Sequence, residues 1–297
     1  MVDAKLVFTG RADPVDWKVL RKSSIIKLNT MYSGTTLRNH SGNLIGVHQK
    51  IDRTARKKLE ELRPGVFFPR SRQILSFEGN NGPDGIKRKS AGCDEPAHFY
   101  NVMGDDDQEI IKHIKEHYLN LVKALSAKEG EKAAFEAAWL SHSIVDGLTP
   151  AHHHPYLEEV ENLRSNSVDG ETLIGKKLYI KGRTKRESAS KNWAFWGTKG
   201  LIISHAGFEF GIASIAVLGR TKLNIKNEEI TFNINQDVID IFKQAAREIN
   251  SLHMFEKFLK YGWTPKLANQ TKKVLMPTLS RTVLISWLKA TQDAHKV

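Results

Sequence analysis

The sequence predicts an all-α fold organised as one domain. Apolar residues recur every three or four positions along most of the chain, which is the spacing of a buried helix face. Helix start and stop signals separate these segments. No internal repeat and no clear domain boundary is visible. We therefore expect a single domain over 1–297, with an N-terminal extension at 1–44 and a basic insertion at 165–199.

The first clear helix is predicted from Ile45, and Pro64-Gly65 is expected to end it. A region rich in Gly, Pro and Asn follows at 64–97, and we expect it to be a long loop, which is often functional. Acidic residues at 105–107 then favour a helix start. Further helices are predicted after that start and at 132–146, 155–163, 200–218, 232–261 and 279–291.

Composition indicates a soluble globular protein, because hydrophobic residues make up 40% of the chain. No apolar run reaches the roughly 20 residues that span a bilayer, and the N-terminus lacks the pattern of a secretory signal. A cytoplasmic location is therefore expected, with export by another route left open. A single cysteine, Cys93, excludes an internal disulfide.

The net charge of +12 favours polyanionic partners such as nucleic acid, anionic lipid headgroups or phosphorylated substrates. Much of this charge lies in the 165–199 segment, where basic residues precede Trp193 and Trp196. Such a segment could contact nucleic acid or a membrane surface. The alternative that we favour is a solvated loop held by aromatic residues of the core.

The most informative stretch is 139–154. His142 and Asp146 are four residues apart, so on a helix their side chains project from one face. Gly147 is expected to end this helix, and three consecutive histidines follow at 152–154. Imidazole nitrogens and carboxylate oxygens are donors that Zn²⁺ prefers. The alternative is a surface ion pair followed by a solvated loop.

Two more places carry candidate ligands. His205 and Glu209 repeat the four-residue spacing within a strongly apolar predicted helix. His48 falls in the apolar stripe of the first predicted helix. A single histidine in such a stripe is more often a hydrogen-bonded core residue than a ligand.

The motif His142-x3-Asp146-x3-Pro150-x-His152 resembles the central signature of the zinc-dependent phospholipase C and P1/S1 nuclease superfamily. The resemblance covers roughly residues 45–210 and is nearest to the bacterial phospholipase C branch. It implies a phospholipase C/P1 nuclease-like helical domain with up to three zinc ions. The flanking matches follow the family's order and are Gly46-Val47-His48, Asp84 fourteen residues before His98, His98-Phe99-Tyr100, and His205-x3-Glu209.

The resemblance implies a ligand set for each ion. One zinc would be held by Asp84, His98, His142 and Asp146, and a second, more exposed one by His152, His205 and Glu209. A third would be held by His48 and Asp146, so that Asp146 bridges two ions. The resemblance also implies that Asp84 doubles as the catalytic base.

The sequence departs from the family in two respects. In the family, the amine and carbonyl of an N-terminal tryptophan complete the third site, whereas here the first residue is Met1 and Trp17 is internal. This implies either processing or an altered third site. The number of residues between His152 and His205 is also larger than in the family. The alternative local ligands are His153, His154, Glu158 and Glu159.

The resemblance implies a zinc-dependent phosphodiester hydrolase resembling phospholipase C, in which a metal-activated water attacks phosphorus. A P1/S1-type nuclease acting on single strands is the second hypothesis, and a non-catalytic helical protein with a degenerate metal site is the third. An HD-type phosphohydrolase is disfavoured because no His-Asp dipeptide occurs. The expected partner is a phospholipid headgroup or single-stranded nucleic acid, and peripheral contact with anionic surfaces fits the charge.

Overall fold

The computed structural model describes residues 36–38, 44–78, 82–83, 98–104, 108–164, 180–218, 230 and 234–296. The described chain is mostly helical, which confirms the all-α prediction, with one short β-hairpin added. The strands are β1 (Thr36–Arg38) and β2 (Leu44–Gly46). The helices are α1 (Val47–Leu62), α2 (Ser71–Leu75), α3 (Glu109–Ser126), α4 (Gly130–Leu148), α5 (Tyr156–Arg164), α6 (Lys185–Trp196), α7 (Leu201–Leu218), α8 (Val238–Asn250), α9 (Met254–Tyr261), α10 (Pro265–Gln270) and α11 (Met276–Ala294). A 3₁₀ turn (Pro150–His153) follows α4, and a π turn (Thr271–Leu275) joins α10 to α11.

Helices α3 and α4 form the centre of the fold. A three-residue connection at 127–129 joins them, so they pack as an antiparallel pair. Helix α11 packs across both, and its Trp287 is fully buried. The indole N–H of Trp287 donates to the carbonyl of Ala137 at 3.3 Å, which satisfies the polar atom of this large core side chain. The pair α3–α4 therefore provides the rigid platform on which the histidines of α4 are mounted.

Helix α1 packs mainly against α11 and also contacts α4. It begins directly after β2, which pairs antiparallel with β1, and it ends before Pro64 and Gly65 as predicted. The buried face of α1 carries apolar residues, but it also carries His48, Gln49 and Asp52. Buried polar groups of this kind are costly unless they are hydrogen-bonded or bind an ion, so this face does more than pack against neighbouring helices.

Gly147 does not end a helix, contrary to the sequence prediction, because α4 continues to Leu148. A Cβ on Gly147 would lie 2.7 Å from Cδ1 of Ile110 and 2.7 Å from Cζ of Phe242. The glycine is therefore required for close packing of α4 against α3 and α8.

Two other predicted elements differ in the structure. The predicted long helix over 232–261 is broken into α8 and α9, because His253 adopts a left-handed conformation with φ of +48°. The apolar spacing continues across this break, which is why the sequence did not reveal it. The loop predicted at 64–97 contains helix α2, and Ile74 of that helix is fully buried.

The described part of the basic insertion, 180–199, contains a helix where a loop was expected. Its residues 185–196 form helix α6, with Thr184 as the N-terminal cap, and α6 packs against α7. Trp193 is 70% exposed and does not belong to the core, so the expectation of a loop held by core aromatics is wrong for this residue. None of the helices in the described parts of the chain is long and apolar enough to cross a membrane.

Candidate metal centre

An open group of three donors forms where α7 meets the 3₁₀ turn. Nε2 of His152 lies 3.2 Å from Nε2 of His205 and 3.2 Å from Oε1 of Glu209. Nε2 of His205 lies 3.0 Å from the same Glu209 oxygen. Three donor atoms thus converge on one point, and a single proton can serve only one of these pairs, whereas one cation can contact all three atoms. The side chains of His205 and Glu209 are 20% and 26% exposed, so this group faces an opening.

A second, buried group surrounds Asp146 on α4. One carboxylate oxygen, Oδ1, lies 3.2 Å from Nε2 of His48, and the other, Oδ2, lies 3.1 Å from Nε2 of His142. Nδ1 of His98 also contacts Oδ2. The side chains of these four residues are at most 8% exposed. Three imidazoles around one carboxylate, withdrawn from water, provide the nitrogen and oxygen donors of a typical zinc site.

Two acidic residues behind this group were not identified from the sequence. Glu78, which follows α2, has Oε2 at 3.7 Å from Nδ1 of His142, on the side of the ring away from Asp146. Asp52 on α1 accepts a hydrogen bond from the hydroxyl of Ser141. Asp52 lies four residues after His48, the spacing that marked the other pairs, so a signal for it was present in the sequence. Glu78 carries no such signal.

Electrostatics link these buried residues. Burial alone would raise the pKa of Asp146, but the charges of His142 and His152 and hydrogen bonds from His142 and His48 hold it well below its usual range. Burial opposes protonation of His48, yet its contacts with Asp146 raise its pKa overall. The opposite holds for Asp52, whose pKa is raised well above normal by burial and by the charge of Glu78. The histidines therefore favour the charged form of Asp146, whereas burial and the neighbouring Glu78 favour the neutral form of Asp52.

The donors fit divalent metal ions. Three sets of three side chains place one ligand atom each within 4.8 Å of one another, and they are His48, Glu78 and His142; His98, His142 and Asp146; and His152, His205 and Glu209. Among the described residues, every ion pair of Asp146 and of Glu209 has a histidine as the partner. In that same part of the chain, Nε2 of His98 and Oδ2 of Asp52 are buried without a hydrogen-bond partner. Buried polar atoms without partners are costly, and a bound cation would offset this cost at His98, which belongs to a donor set, whereas Asp52 belongs to none.

Seven of the eight predicted ligands are brought together by the fold: His48, His98, His142, Asp146, His152, His205 and Glu209. The eighth, Asp84, lies outside the described residues, as do Cys93 and Trp17. The long separation between His152 and His205 does not prevent their contact, because α7 returns to the 3₁₀ turn.

The alternative local ligands lie elsewhere. Nε2 of His153 is 2.8 Å from the carbonyl of Gly147, to which it donates. Burial lowers the pKa of His153 to about 4, so its ring is neutral at pH 7. His154 contacts Glu159 at 3.1 Å and stacks edge-on against Phe255. Neither histidine belongs to one of the three donor sets.

No protein-family model matches the chain, and neither a curated protein nor a solved structure is significantly similar to it. Function has to be inferred from the side chains themselves.

Proposed function

We propose that this chain is a zinc-dependent phosphodiester hydrolase resembling phospholipase C. The observation that carries the proposal is the convergence of five histidines and two acids from four separate parts of the chain, at 48, 98, 142–152 and 205–209. A structural zinc site needs four ligands and is closed. Here the donors are more numerous than one ion requires, and one group faces an opening, as a catalytic centre needs.

The two groups have different parts in this proposal. His98, His142 and Asp146 would hold a buried ion, with His48 on the other oxygen of Asp146. His152, His205 and Glu209 would hold a more accessible one. When bound, the ions would supply positive charge against the phosphodiester and lower the pKa of a water molecule towards neutrality.

The protein itself contributes position and proton chemistry. Asp146 lies next to Nε2 of His48 and Nε2 of His142 through its two separate oxygens, so these donors stand side by side. Oε2 of Glu78 lies 3.7 Å from Nδ1 of His142, beyond hydrogen-bond distance, and its negative charge would favour a proton on that nitrogen, which leaves Nε2 for a ligand role. The exposed pair His205 and Glu209 would meet the substrate. Asp84 remains a candidate base.

A single-strand nuclease of the P1/S1 type is the second candidate, because the net charge of +12 favours a polyanionic substrate. The same metal chemistry cleaves both kinds of phosphodiester, so the site alone does not distinguish them. Comparing the rates of hydrolysis of phospholipid and single-stranded DNA distinguishes the two candidates.

The test is metal content and hydrolysis measured on the same preparations. Untagged wild type, Asp146→Asn and the control Asp240→Asn, an exposed acid on α8, are analysed by elemental mass spectrometry. Each is assayed with a small chromogenic phosphodiester, phosphatidylcholine and single-stranded DNA. We expect two or three zinc ions and hydrolysis in wild type and in Asp240→Asn, and loss of both in Asp146→Asn. A folded wild type that binds no zinc, or full turnover by Asp146→Asn, would contradict the proposal.

A further inference from the structure

Exposed apolar side chains are concentrated on α6 and α7. Among the described residues, nine large hydrophobic side chains are exposed, and four of them belong to these two helices: Trp193, Trp196, Ile203 and Phe210. Trp193 is 70% exposed and Phe210 is 53% exposed. Single exposed apolar residues are ordinary, but a cluster on adjacent elements indicates an interaction site.

The exposed apolar side chains of α7 lie on one face of the helix. Ser204, Phe208, Ile212 and Ala216 recur every four residues and form the buried stripe. The exposed positions 203, 206 and 210 follow the same helical spacing on the opposite side. All three are apolar: Ile203, Ala206 and Phe210. A solvent-facing stripe of a helix is normally polar, so this stripe is adapted to a partner other than water.

Trp193 is the most exposed aromatic side chain of α6, the helix that packs against α7. A Cβ on Gly197 would lie 3.0 Å from the indole of Trp193, so the ring covers the turn between the two helices. Phe195, on the other side of α6, is buried with Val160 and Ile180 and anchors the helix. Trp193 is thus held outward on an anchored helix, at the same end of α7 as Ile203.

The surroundings of the cluster are strongly basic. Residues 181–199 include six Lys or Arg side chains and one acid, Glu187. Glu187 is already paired with Lys191 at 3.2 Å. Lys185, Arg186 and Lys199 are exposed. A partner for this surface therefore carries negative charge beside an apolar interior.

We propose that the surface formed by Trp193, Trp196, Ile203 and Phe210, with the basic residues of α6, docks on an anionic lipid bilayer. Tryptophan is suited to the boundary between headgroups and acyl chains, and basic residues are attracted to anionic headgroups. Ile203 and Phe210 offer apolar area that a bilayer accepts and that a nucleic-acid backbone does not. Bound in this way, α7 places the edge carrying His205 and Glu209 beside the lipid surface.

Docking does not depend on the proposed hydrolysis, and the test separates the two. Full-length protein, with zinc and after chelation, is sedimented with phosphatidylcholine vesicles that contain or lack phosphatidylserine. We expect binding to the phosphatidylserine vesicles, a marked decrease at high salt, and the same binding by the Asp146→Asn variant. Thermal unfolding serves as the measure of an intact fold, so a protein without hydrolytic activity can still be tested for docking.

Variants locate the surface. Phe210→Asp and Trp193→Ala should each weaken vesicle binding about tenfold, since each removes most of the contribution of one buried aromatic side chain. Leu119→Asp on α3 is the matched control, because Leu119 is 47% exposed but lies away from this surface, and it should bind as wild type does. All three should remain folded, with the same thermal unfolding transition as wild type. Absence of vesicle binding, equal binding by all variants, or Trp193-dependent binding of single-stranded DNA in preference to vesicles would overturn the proposal.

Discussion

Replacing Glu78 by Gln should have opposite effects on the metal-free and the metal-bound protein. Glu78 is 4% exposed and lies close enough to raise the pKa of Asp52, in addition to the effect of burial. A carboxyl group whose pKa is raised on folding favours the folded state at low pH and costs stability as the pH rises above its unfolded pKa. Removal of the charge of Glu78 relieves part of that cost and removes a weaker attraction to His48, so metal-free Glu78→Gln should be more stable than wild type at pH 7.

In the metal-bound protein the same change removes the carboxylate that faces Nδ1 of His142 at 3.7 Å. Loss of a carboxylate that orients a histidine ligand typically weakens metal binding by about 10–100-fold. At saturating zinc this corresponds to about 1.4–2.8 kcal/mol less stabilisation by the metal. With about 2 °C per kcal/mol for a chain of this size, the zinc-induced rise in Tm should be smaller by about 3–6 °C.

The assay is thermal unfolding with a chelator and across a zinc titration. Glu136→Gln is the matched control. Like Glu78, Glu136 is buried and contacts a histidine, in this case His117 at 2.7 Å, but it lies on α4 and belongs to no donor set. That control should lose stability equally with and without zinc. The reasoning is refuted if metal-free Glu78→Gln is less stable than wild type and its zinc affinity is unchanged.

Three further changes test separate parts of the structure. Gly147→Ala should lower the free energy of unfolding by about 1–3 kcal/mol, because the added Cβ meets Ile110 at 2.7 Å; wild-type stability in urea would contradict this. Glu209→Gln should remove the accessible zinc and leave the buried one, as counted by elemental mass spectrometry, and loss of all zinc would show that the groups are not independent. Asp293 has a lowered pKa despite partial burial, because Lys296 and Tyr118 hydrogen-bond to it. The stability that Asp293 contributes to the folded state is therefore fully present above the unfolded carboxyl pKa of about 3.9 and is lost as the pH falls below it. Asp293→Asn should accordingly cost about 1 kcal/mol at pH 7 and less near pH 3 in urea titrations, and an equal cost at both pH values would contradict this.

The candidate site was largely predictable where its residues lie on helices. The pairs His142–Asp146 and His205–Glu209 are local patterns, since side chains four residues apart on a helix share a face. Glu78 could not be found in this way, because it lies in the segment predicted as a loop and approaches His142 only through the packing of α2 against α4. The role of Gly147 was misread for the same reason, because its nearest neighbours belong to α3 and α8.

The sequence by itself determined the helical class, the placement of most helices and the types of donor available, because these depend on spacing over a few residues. Only the tertiary structure decided which donors meet. It brought His152 to within 3.2 Å of His205 across 53 residues and placed Asp52 and Glu78 behind the histidines. It also left Trp193 exposed and divided the helix predicted over 232–261. These outcomes depend on contacts between residues that are far apart in the chain. The local spacing of apolar and polar residues does not show which distant segment each of them contacts.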